Sequence, residues 1–327
     1  MLILVTGGAG YIGSHTCKAL AQAGFTPVVL DNFSTGHLWA VRWGEVITGD
    51  LADRELLVHV LKKYDIQAVV HFAASIEAGE SMRRPDKYFR NNFINTLNLL
   101  EAMVETGVNR LIFSSTCAIY GEPQWLPLTE NHPQNPVNPY GESKRAIEQA
   151  LHWFSQAYGM QYAALRYFNA AGADLAGELG ECHDPETHLI PRVLLALLAG
   201  TEIQIFGTDY DTPDGTAVRD FIHVADLAQA HVQALHYVQK NQDNLAVNLG
   251  TGRGYSVREV IAAVEQVTGQ RVRVRETARR LGDAPMLVAD VTLAQRELGW
   301  RCHHSDLHTI VQTAWKWHQG TYAKVQN

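Results

Sequence analysis

The stretch LILVTGGAGYIGSH, residues 2–15, passes from a short apolar run through a cluster of glycines into a helical pattern. Leu2 to Val5 predicts a buried strand, because four apolar residues follow one another without a polar break. A helix is expected from about Ile12 to Ala23. The glycines therefore lie in a strand-to-helix turn.

The glycine turn matches two related spacings. Gly8, Gly10 and Gly13 satisfy G-x-G-x-x-G, and Gly7, Gly10 and Gly13 satisfy G-x-x-G-x-x-G. Glycine permits the tight turn and lets a pyrophosphate approach the backbone at the helix N-terminus, which attracts anions. Because the turn follows a strand and precedes a helix, the pattern favours nucleotide binding over a plain tight turn.

Short apolar strands alternate with amphipathic helical segments through the first half of the chain. Further strands are predicted at residues 26–31, 45–50, 68–74, 110–115 and 162–168. One of the helical patterns between them covers residues 88–105. This alternation is typical of a parallel sheet covered on both faces by helices. The predicted fold class is therefore α/β, a Rossmann-like doubly wound parallel sheet with a smaller mixed α/β C-terminal substrate domain.

The alternation breaks after Phe168, where a long loop rich in glycine and acidic residues follows. We expect one domain over residues 1–168 and a second mainly over 169–327, with segments at about 220–250 returning to the first. Beyond the loop, the pattern predicts a helix in HLIPRVLLALLAG (188–200), a strand in IQIFG (203–207), a helix starting in DFIHVADLAQAHVQAL (220–235) and a strand in AVNLG (246–250).

The composition bounds the classes of function. The 327 residues are 46% hydrophobic and 19% charged, which is typical of a chain with a packed core. The formal net charge of -7 disfavours nonspecific binding to nucleic acid. The four cysteines form no C-x-x-C pair, and no export leader or membrane-spanning stretch is present, so a cytoplasmic location is expected.

The histidines and cysteines show no metal-binding spacing. Cys302, His303 and His304 are adjacent rather than spaced for one face, and Cys182-His183 lies in the long loop. We expect these side chains to be hydrogen-bonded within the protein or exposed to solvent, and no metal is predicted.

Two aspartates follow strands of the predicted sheet. Asp31 closes the second strand, where its carboxylate is expected to accept hydrogen bonds from a ribose diol. A carboxylate there repels a 2′-phosphate, so NAD is favoured over NADP. Asp50 follows the third strand, where an adenine contact and a simple turn role are equally open.

The segment NPYGESK, residues 138–144, places a tyrosine four residues before a lysine at a predicted helix start. Tyr140 and Lys144 therefore share one helix face. An ammonium beside a phenol stabilises the phenolate, and a nicotinamide cation adds to the effect, so the Tyr140 pKa is expected to move toward neutrality. Such a pair also occurs by chance on surface helices, but the upstream nucleotide motif favours a catalytic role. Thr116, at the end of the fifth strand, could relay a proton between the tyrosine and a substrate hydroxyl.

Further stretches of the chain carry a family resemblance. They are HFAA (71–74), NN (91–92), SSTCAIYG (114–121), NPYGESK (138–144), LRYFNAAGA (165–173), HLIP (188–191), IFGTDYDTPDGTAVRDFIHV (205–224) and RRLGDAP (279–285). In this order, and over nearly the whole chain, the sequence resembles the UDP-glucose 4-epimerases of the extended short-chain dehydrogenase/reductase family. The resemblance implies interconversion of UDP-galactose and UDP-glucose, with NAD as cofactor and a homodimer as the assembly.

The resemblance also implies roles for individual residues. Tyr140, Lys144 and Thr116 would be catalytic. NAD would contact Gly7, Gly10, Tyr11, Ile12, Gly13, Asp31, Asn32, Asp50, Leu51, Phe72, Asn92, Tyr140, Lys144 and Phe168. The UDP-sugar would contact Thr116, Asn169, His188, Leu189, Gln204, Phe206, Arg219, Arg280, Asp283 and Leu287. Of these, Arg219 and Arg280 would hold the diphosphate and Asp283 the uridine ribose. Residues 1–168 would bind NAD and residues 169–327 mainly the UDP-sugar.

Three positions depart from the family pattern. Ile76 replaces a lysine found near the cofactor in some members, and His188 replaces an asparagine. Leu287 stands where a larger tyrosine can close the sugar pocket, so acceptance of N-acetylated sugars stays open. A relative acting on UDP-pentoses or UDP-N-acetylhexosamines, or a non-catalytic nucleotide sensor, are the alternatives. A dehydratase or decarboxylase is disfavoured, because Cys117 and Ala118 replace the acid that such chemistry needs beside Thr116.

Overall fold

The computed structural model describes residues 1–241, 243–280 and 283–325. Leu281 and Gly282, inside the RRLGDAP stretch, lie outside the described residues. The strands are β1 Leu2–Thr6, β2 Thr26–Asp31, β3 Glu45–Thr48, β4 Ala68–His71, β5 Arg110–Thr116, β6 Gln161–Tyr167, β7 Asn169–Ala171, β8 Glu202–Phe206, β9 Val218–His223, β10 Leu245–Leu249, β11 Gly254–Ser256, β12 Arg273–Thr277 and β13 Met286–Leu287.

The helices cover both faces of the largest sheet and pack around the smaller ones. They are α1 Tyr11–Gln22, α2 Arg54–Lys63, α3 Ala78–Ser81, α4 Pro85–Tyr88, α5 Asn95–Thr106, α6 Pro139–Tyr158, α7 Leu189–Ala199, α8 Val224–Lys240, α9 Val257–Thr268, α10 Thr292–Leu298 and α11 Leu307–Val325. A π-helical segment, Phe89–Ile94, joins α4 to α5. Within the described residues, no helix is both long enough and apolar enough to span a membrane.

The largest sheet has seven parallel strands in the order β10-β6-β5-β4-β1-β2-β3. The strand order reverses between β1 and β4, which creates a crevice at the carboxyl ends of the strands. This sheet confirms the predicted fold class. A four-stranded sheet of β7, β9, β11 and β13 and a two-stranded sheet of β8 and β12 lie outside it.

Both faces of the seven-stranded sheet are sealed by apolar side chains. On one face the buried core includes Leu20 of α1, Leu235 of α8 and Trp300. On the other face it includes Leu99 of α5 and Ile147 of α6. The strands are buried between two helical layers. This explains why their sequences are continuous apolar runs rather than alternating apolar and polar residues.

The helix predicted to start within residues 220–235 is present, but a strand that the sequence pattern did not predict comes before it. Residues Val218–His223 form β9, and α8 begins only at Val224. The strand pairs with β7, β11 and β13, so the backbone hydrogen bonds of β9 are satisfied in the sheet rather than in a helix. His223 then caps α8, because its side chain accepts a hydrogen bond from the Ala225 N–H at 3.1 Å.

Candidate active site

The glycine turn forms a backbone cradle at the end of β1. Gly7 has a φ of +72°, and a Cβ atom there would lie 2.6 Å from the Ala73 nitrogen. A Cβ atom on Gly13 would lie 2.2 Å from the Gly7 carbonyl oxygen. Side chains at these two positions would collide with neighbouring backbone, so glycine is needed there. The turn leads into the first turn of α1, whose free N–H groups attract phosphate. The turn fits the pyrophosphate of a dinucleotide.

Asp31 lies at the end of β2, beside this turn. Its Oδ2 accepts a hydrogen bond from the Ala9 N–H at 2.9 Å, and its Oδ1 accepts one from the Phe33 N–H at 2.8 Å. These two bonds fix the carboxylate, and its remaining lone pairs can accept from a ribose diol. Asp50 is fixed in a similar way, because it accepts from Asn32 at 2.6 Å.

The start of α6 brings the tyrosine and lysine to the end of β5. Asn138 caps the helix by accepting from the Gly141 N–H at 2.8 Å, and Pro139 occupies the first turn. Tyr140 is half-buried and lies close enough to Thr116 for the threonine to influence its pKa. Lys144 is buried, and its Nζ donates to the Ser114 carbonyl oxygen at 2.9 Å.

The electrostatics of this pair differ from the sequence-based expectation. Burial raises the pKa of Tyr140 to about 12, and the hydrogen bond with Thr116 offsets only part of that rise. Burial also lowers the pKa of Lys144 to about 7. The expected shift of the tyrosine toward neutrality is therefore wrong for the chain by itself. Desolvation, which disfavours the charged form, is the largest cause of the shift in both groups.

A buried ionic network holds α6 against the sheet. Glu148, one turn beyond Lys144, accepts from Arg166 Nε at 3.0 Å and from Arg166 Nη2 at 2.6 Å. It also accepts from the Ser115 hydroxyl at 2.5 Å. Because these contacts join α6, β5 and β6, they fix the position of Tyr140 relative to Thr116. The spacing of the sequence gave no signal for this network.

A cavity of about 810 Å³ opens at the carboxyl ends of the strands. Its volume is within the range of small-molecule and cofactor sites. Most of the predicted site residues line it, from both the cofactor group and the substrate group. These are Gly7, Gly10, Tyr11, Ile12, Gly13, Asp31, Asn32, Asp50, Leu51, Phe72, Thr116, Tyr140, Lys144, Phe168, Asn169, His188, Arg219 and Leu287.

Asn92 does not line the cavity but lies behind its wall. Its amide accepts from the Ser75 N–H at 2.8 Å and donates to the Ser143 hydroxyl at 3.1 Å. The neighbouring Asn91 faces the cavity instead. Both lie in the π-helical segment, whose wider turn changes the face that each side chain occupies. The sequence predicted a regular helix here, so it could not distinguish the two asparagines.

Five other predicted substrate residues also lie outside the cavity wall. Leu189 packs in the apolar core of α7, α9 and α11. Gln204 and Phe206 lie on β8, and the Arg280 guanidinium stacks on the Phe206 ring at 3.9 Å. Asp283 lies 3.8 Å from Arg219, which does line the cavity. Gln204, Phe206, Arg280 and Asp283 therefore form a group next to the cavity, reached through Arg219.

Positive charge concentrates in this neighbouring group. Burial lowers the pKa of Arg280, and the nearby cations Arg192 and Arg219 lower it further, while Asp283 opposes them. Burial also lowers the pKa of Arg219. Arg192, Arg219 and Arg280 are near enough for their charges to affect one another, and clustered guanidinium groups suit an anion of high charge, such as a diphosphate. Arg192 was missed by the sequence analysis, because one arginine within an apolar helix carries no distinguishing spacing.

Tyr167 and Ser114 are further cavity residues that the sequence analysis left without a site role. They hydrogen-bond to each other and line the cavity beside Tyr140. Ile76, where a lysine occurs in some relatives, also lines it and offers no charge to a ligand.

Comparisons with known proteins agree with this geometry. Residues 3–250 match the NAD dependent epimerase/dehydratase family. A UDP-glucose 4-epimerase from Rhizobium leguminosarum bv. trifolii is 51% identical over 317 residues, covering 97% of each chain. The crystal structure of UDP-glucose 4-epimerase from Brucella ovis in complex with NAD has a TM-score of 0.94 at 53% identity, covering 96% of this chain and 97% of that one.

A third similar protein adds a substrate analogue. The UDP-glucose-4-epimerase of Stenotrophomonas maltophila, crystallised with NAD and formylated UDP-arabinopyranose, has a TM-score of 0.96 at 39% identity, covering 99% of each chain. The family match covers most of the chain and the two solved structures share its fold. The chain belongs to the NAD dependent epimerase/dehydratase family.

Proposed function

We propose that the chain interconverts UDP-galactose and UDP-glucose at C4 of the sugar, with NAD as cofactor. The observation that carries the proposal is that one cavity is lined both by the glycine turn and by Tyr140, Thr116 and Lys144, and that it reaches Arg219. The relatives at 51% and 53% identity, both named UDP-glucose 4-epimerase, support the same conclusion.

In the proposed reaction, Tyr140 accepts the proton of the sugar 4-hydroxyl through Thr116. The hydride leaves C4, giving a 4-keto sugar, and returns to the opposite face after the sugar has turned. When bound, NAD supplies the hydride acceptor and a positively charged ring that favours an anionic neighbour. Since burial holds the Tyr140 pKa at about 12, the phenol stays protonated until additional positive charge enters the site.

The UDP group is proposed to bind at the arginine end of the cavity. Arg219 and Arg280 would hold the diphosphate, Asp283 the uridine ribose, and Asn169 the sugar. Binding energy from the non-reacting UDP can then keep the substrate in place while the sugar turns, which suits catalysis by remote binding. We therefore propose that residues 1–168 bind NAD and that residues 169–327 mainly bind the UDP-sugar. Helix α8 and strand β10 pack with the first part.

The choice of sugar depends on Leu287, which lines the cavity and pairs with Arg219 in the register of β13 and β9. Its side chain is smaller than a tyrosine, so UDP-N-acetylhexosamines and UDP-pentoses are the alternative substrates. A non-catalytic nucleotide sensor is disfavoured, since Tyr140, Thr116 and Lys144 are all present and face one cavity.

A coupled assay for UDP-glucose formation from UDP-galactose tests the proposal, with UDP-N-acetylgalactosamine and UDP-arabinose assayed in parallel. We expect turnover of UDP-galactose. Turnover of both hexose forms would make the enzyme one of dual specificity, and turnover of the pentose alone would replace the proposed substrate. No turnover of any of the three by NAD-loaded protein would favour the sensor.

We also propose a homodimer in which the helices of residues 88–105 and 140–157 pair between subunits. Apolar side chains stay exposed on these segments, including Ile94 and Trp153, the latter 68% exposed. Sedimentation velocity of Trp153→Glu should give a monomer, whereas Leu38→Glu, at another exposed apolar position, should stay dimeric. A monomeric parent chain would rule out the assembly.

A cytoplasmic location is proposed because all four cysteines are free thiols, as expected in a reducing compartment.

A further inference from the structure

The loop before α7 brings together four side chains of metal-ligand type, although the sequence spacing predicted no metal. Glu181, His183, Glu186 and His188 each offer one ligand atom, and these four atoms lie within 4.8 Å of one another. We propose that this cluster binds one divalent transition metal ion, for which Zn²⁺ has the matching ligand preference. Glu181, His183 and His188 also line the cavity, so the metal site adjoins the proposed epimerase site.

Three separations in the cluster are close to those of a tetrahedral site. His183 Nδ1 lies 3.2 Å from Glu181 Oε1 and 3.6 Å from one Glu186 oxygen, Oε2, and His188 Nδ1 lies 3.6 Å from the other, Oε1. Zinc ligands sit about 2.0–2.2 Å from the metal, which puts tetrahedral neighbours roughly 3.3–3.6 Å apart. The hydrogen bond from His188 Nδ1 to Glu181 Oε1, at 2.5 Å, has to open, and any ligand atoms near the 4.8 Å limit have to close in on the ion.

Two atoms of the cluster are buried without the hydrogen bonds that burial normally requires. The Glu186 side chain is only 6% exposed. Among the described residues, neither Glu186 Oε2 nor His183 Nδ1 has a hydrogen-bond partner. The two atoms lie 3.6 Å apart, so in the chain alone they can interact only as an ion pair, and buried polar atoms without a hydrogen bond are costly. A metal ion between them would satisfy both atoms.

The backbone of the loop is fixed from several sides, so the ligands are held in place. Trp317 Nε1 donates to the Glu181 carbonyl oxygen at 2.9 Å, and His37 Nε2 donates to the Cys182 carbonyl oxygen at 2.8 Å. Glu186 Oε1 accepts from the His188 N–H at 2.9 Å, which orients the carboxylate. Partners of this kind orient metal ligands in known sites.

The ligand set also decides the class of ion and its role. Imidazole with carboxylate suits zinc, and two carboxylates balance the charge of a divalent ion. Four protein ligands leave no open position for a substrate, which is typical of a structural site rather than a catalytic one. The ion would tie the loop to the start of α7, along the wall of the cavity. Without it, the same side chains can pair only as imidazolium–carboxylate ion pairs.

Calorimetric titration of the chelator-treated full chain with ZnCl₂ tests the site, without substrate, so that the result is independent of the epimerase activity. We expect saturable binding of one ion per chain and a rise in melting temperature. His183→Ala and the isosteric Glu186→Gln should weaken zinc binding by roughly 100-fold or more. Loss of a residue that only orients a ligand already lowers metal affinity about 10–100-fold. His59→Ala, which removes an exposed histidine of α2, should bind like the parent chain.

The visible spectrum of the Co²⁺-loaded chain is a second measurement that does not depend on stability. A tetrahedral site gives intense visible bands, and these should be missing in Glu186→Gln. Three outcomes would overturn the proposal. They are equal zinc binding by His183→Ala and the parent chain, the absence of saturable one-to-one binding, and the weak visible bands of an octahedral ion.

Discussion

The two ends of the cavity are built in different ways. The cofactor end is made from consecutive strand ends of one parallel sheet, with the glycine turn after β1 and Asp31 closing β2. The substrate end combines side chains from separate segments, with Asn169 of β7, Arg219 of β9 and Leu287 of β13. The first end presents mainly backbone and is fixed by the sheet, whereas the second depends on individual side chains. A substitution should therefore affect one end without the other.

The largest effect is expected where the two ends meet. Tyr140→Phe removes the phenol hydroxyl, which is the proposed proton acceptor. We expect turnover to fall roughly 10³-fold, as for loss of a general base. NAD retention should stay near that of the parent chain, because the glycine turn is untouched. Tyr158→Phe, on the exposed end of the same helix, is the control. Near-normal turnover in Tyr140→Phe would refute the assigned role.

A smaller effect is expected at the substrate end. Arg219→Lys keeps the charge but loses the planar fork, whose Nη1 donates to the carbonyl oxygens of Val218 and Ala284 at 2.9 Å each. We expect KM for the UDP-sugar to rise about 10–100-fold, the cost of one or two charge-assisted hydrogen bonds. NAD affinity should not change. Arg271→Lys, at an exposed position, serves as control, and equal weakening of NAD would contradict the separation of the two ends.

The smallest effect concerns acid stability, which we assign mainly to the sheet side of the molecule. Burial lowers the pKa of His15 and His231 to about 4 and that of His71 to about 3; in β9 it lowers the pKa of His223 to about 4. The unfolded chain titrates near ~6.5, so between about pH 6.5 and 4 it binds more protons than the folded chain. Stability is therefore complete above about pH 6.5 and falls as the pH falls through this window.

Melting temperatures between pH 7.5 and 4.5 measure this effect. His231→Leu removes one of these buried histidines while filling the same helical position, so its melting temperature should fall less steeply over the window. His59→Leu, at an exposed position, should keep the slope of the parent chain. A parent chain with no acid dependence above pH 4.5 would exclude the assignment.

The same contrast decides what the sequence could predict. The glycine turn, Asp31 and the Tyr140–Lys144 pair depend on local spacing next to strand or helix ends, and their places in the cavity followed from the fold class. The helical face of Asn91 and Asn92 did not follow, because a π-helical turn has no clear signal in sequence. Likewise β9 was not predicted, because only its pairing with three other strands makes it a strand.

Electrostatic properties were harder still to predict. The Tyr140–Lys144 spacing suggested a lowered tyrosine pKa, but the degree of burial, which is set by the whole fold, reverses the direction. The cluster of Glu181, His183, Glu186 and His188 lay in a loop that shows no periodic pattern. Its convergence depends on a folded loop, and no spacing rule for helices or strands applies there.

The position of β10 has a consequence for protein synthesis. This strand completes the seven-stranded sheet by pairing with β6, yet roughly 80 residues separate the two along the chain, and at ~5–20 residues per second these take ~4–16 s to translate. Helix α8, which covers one face of the sheet, is also made in this interval. We expect the nascent chain to carry an open sheet edge and an uncovered apolar face for those seconds. Ribosome-bound chains stalled after β6 has left the ribosome, but before β10 has been made, should therefore recruit chaperones, and released full-length chains should not.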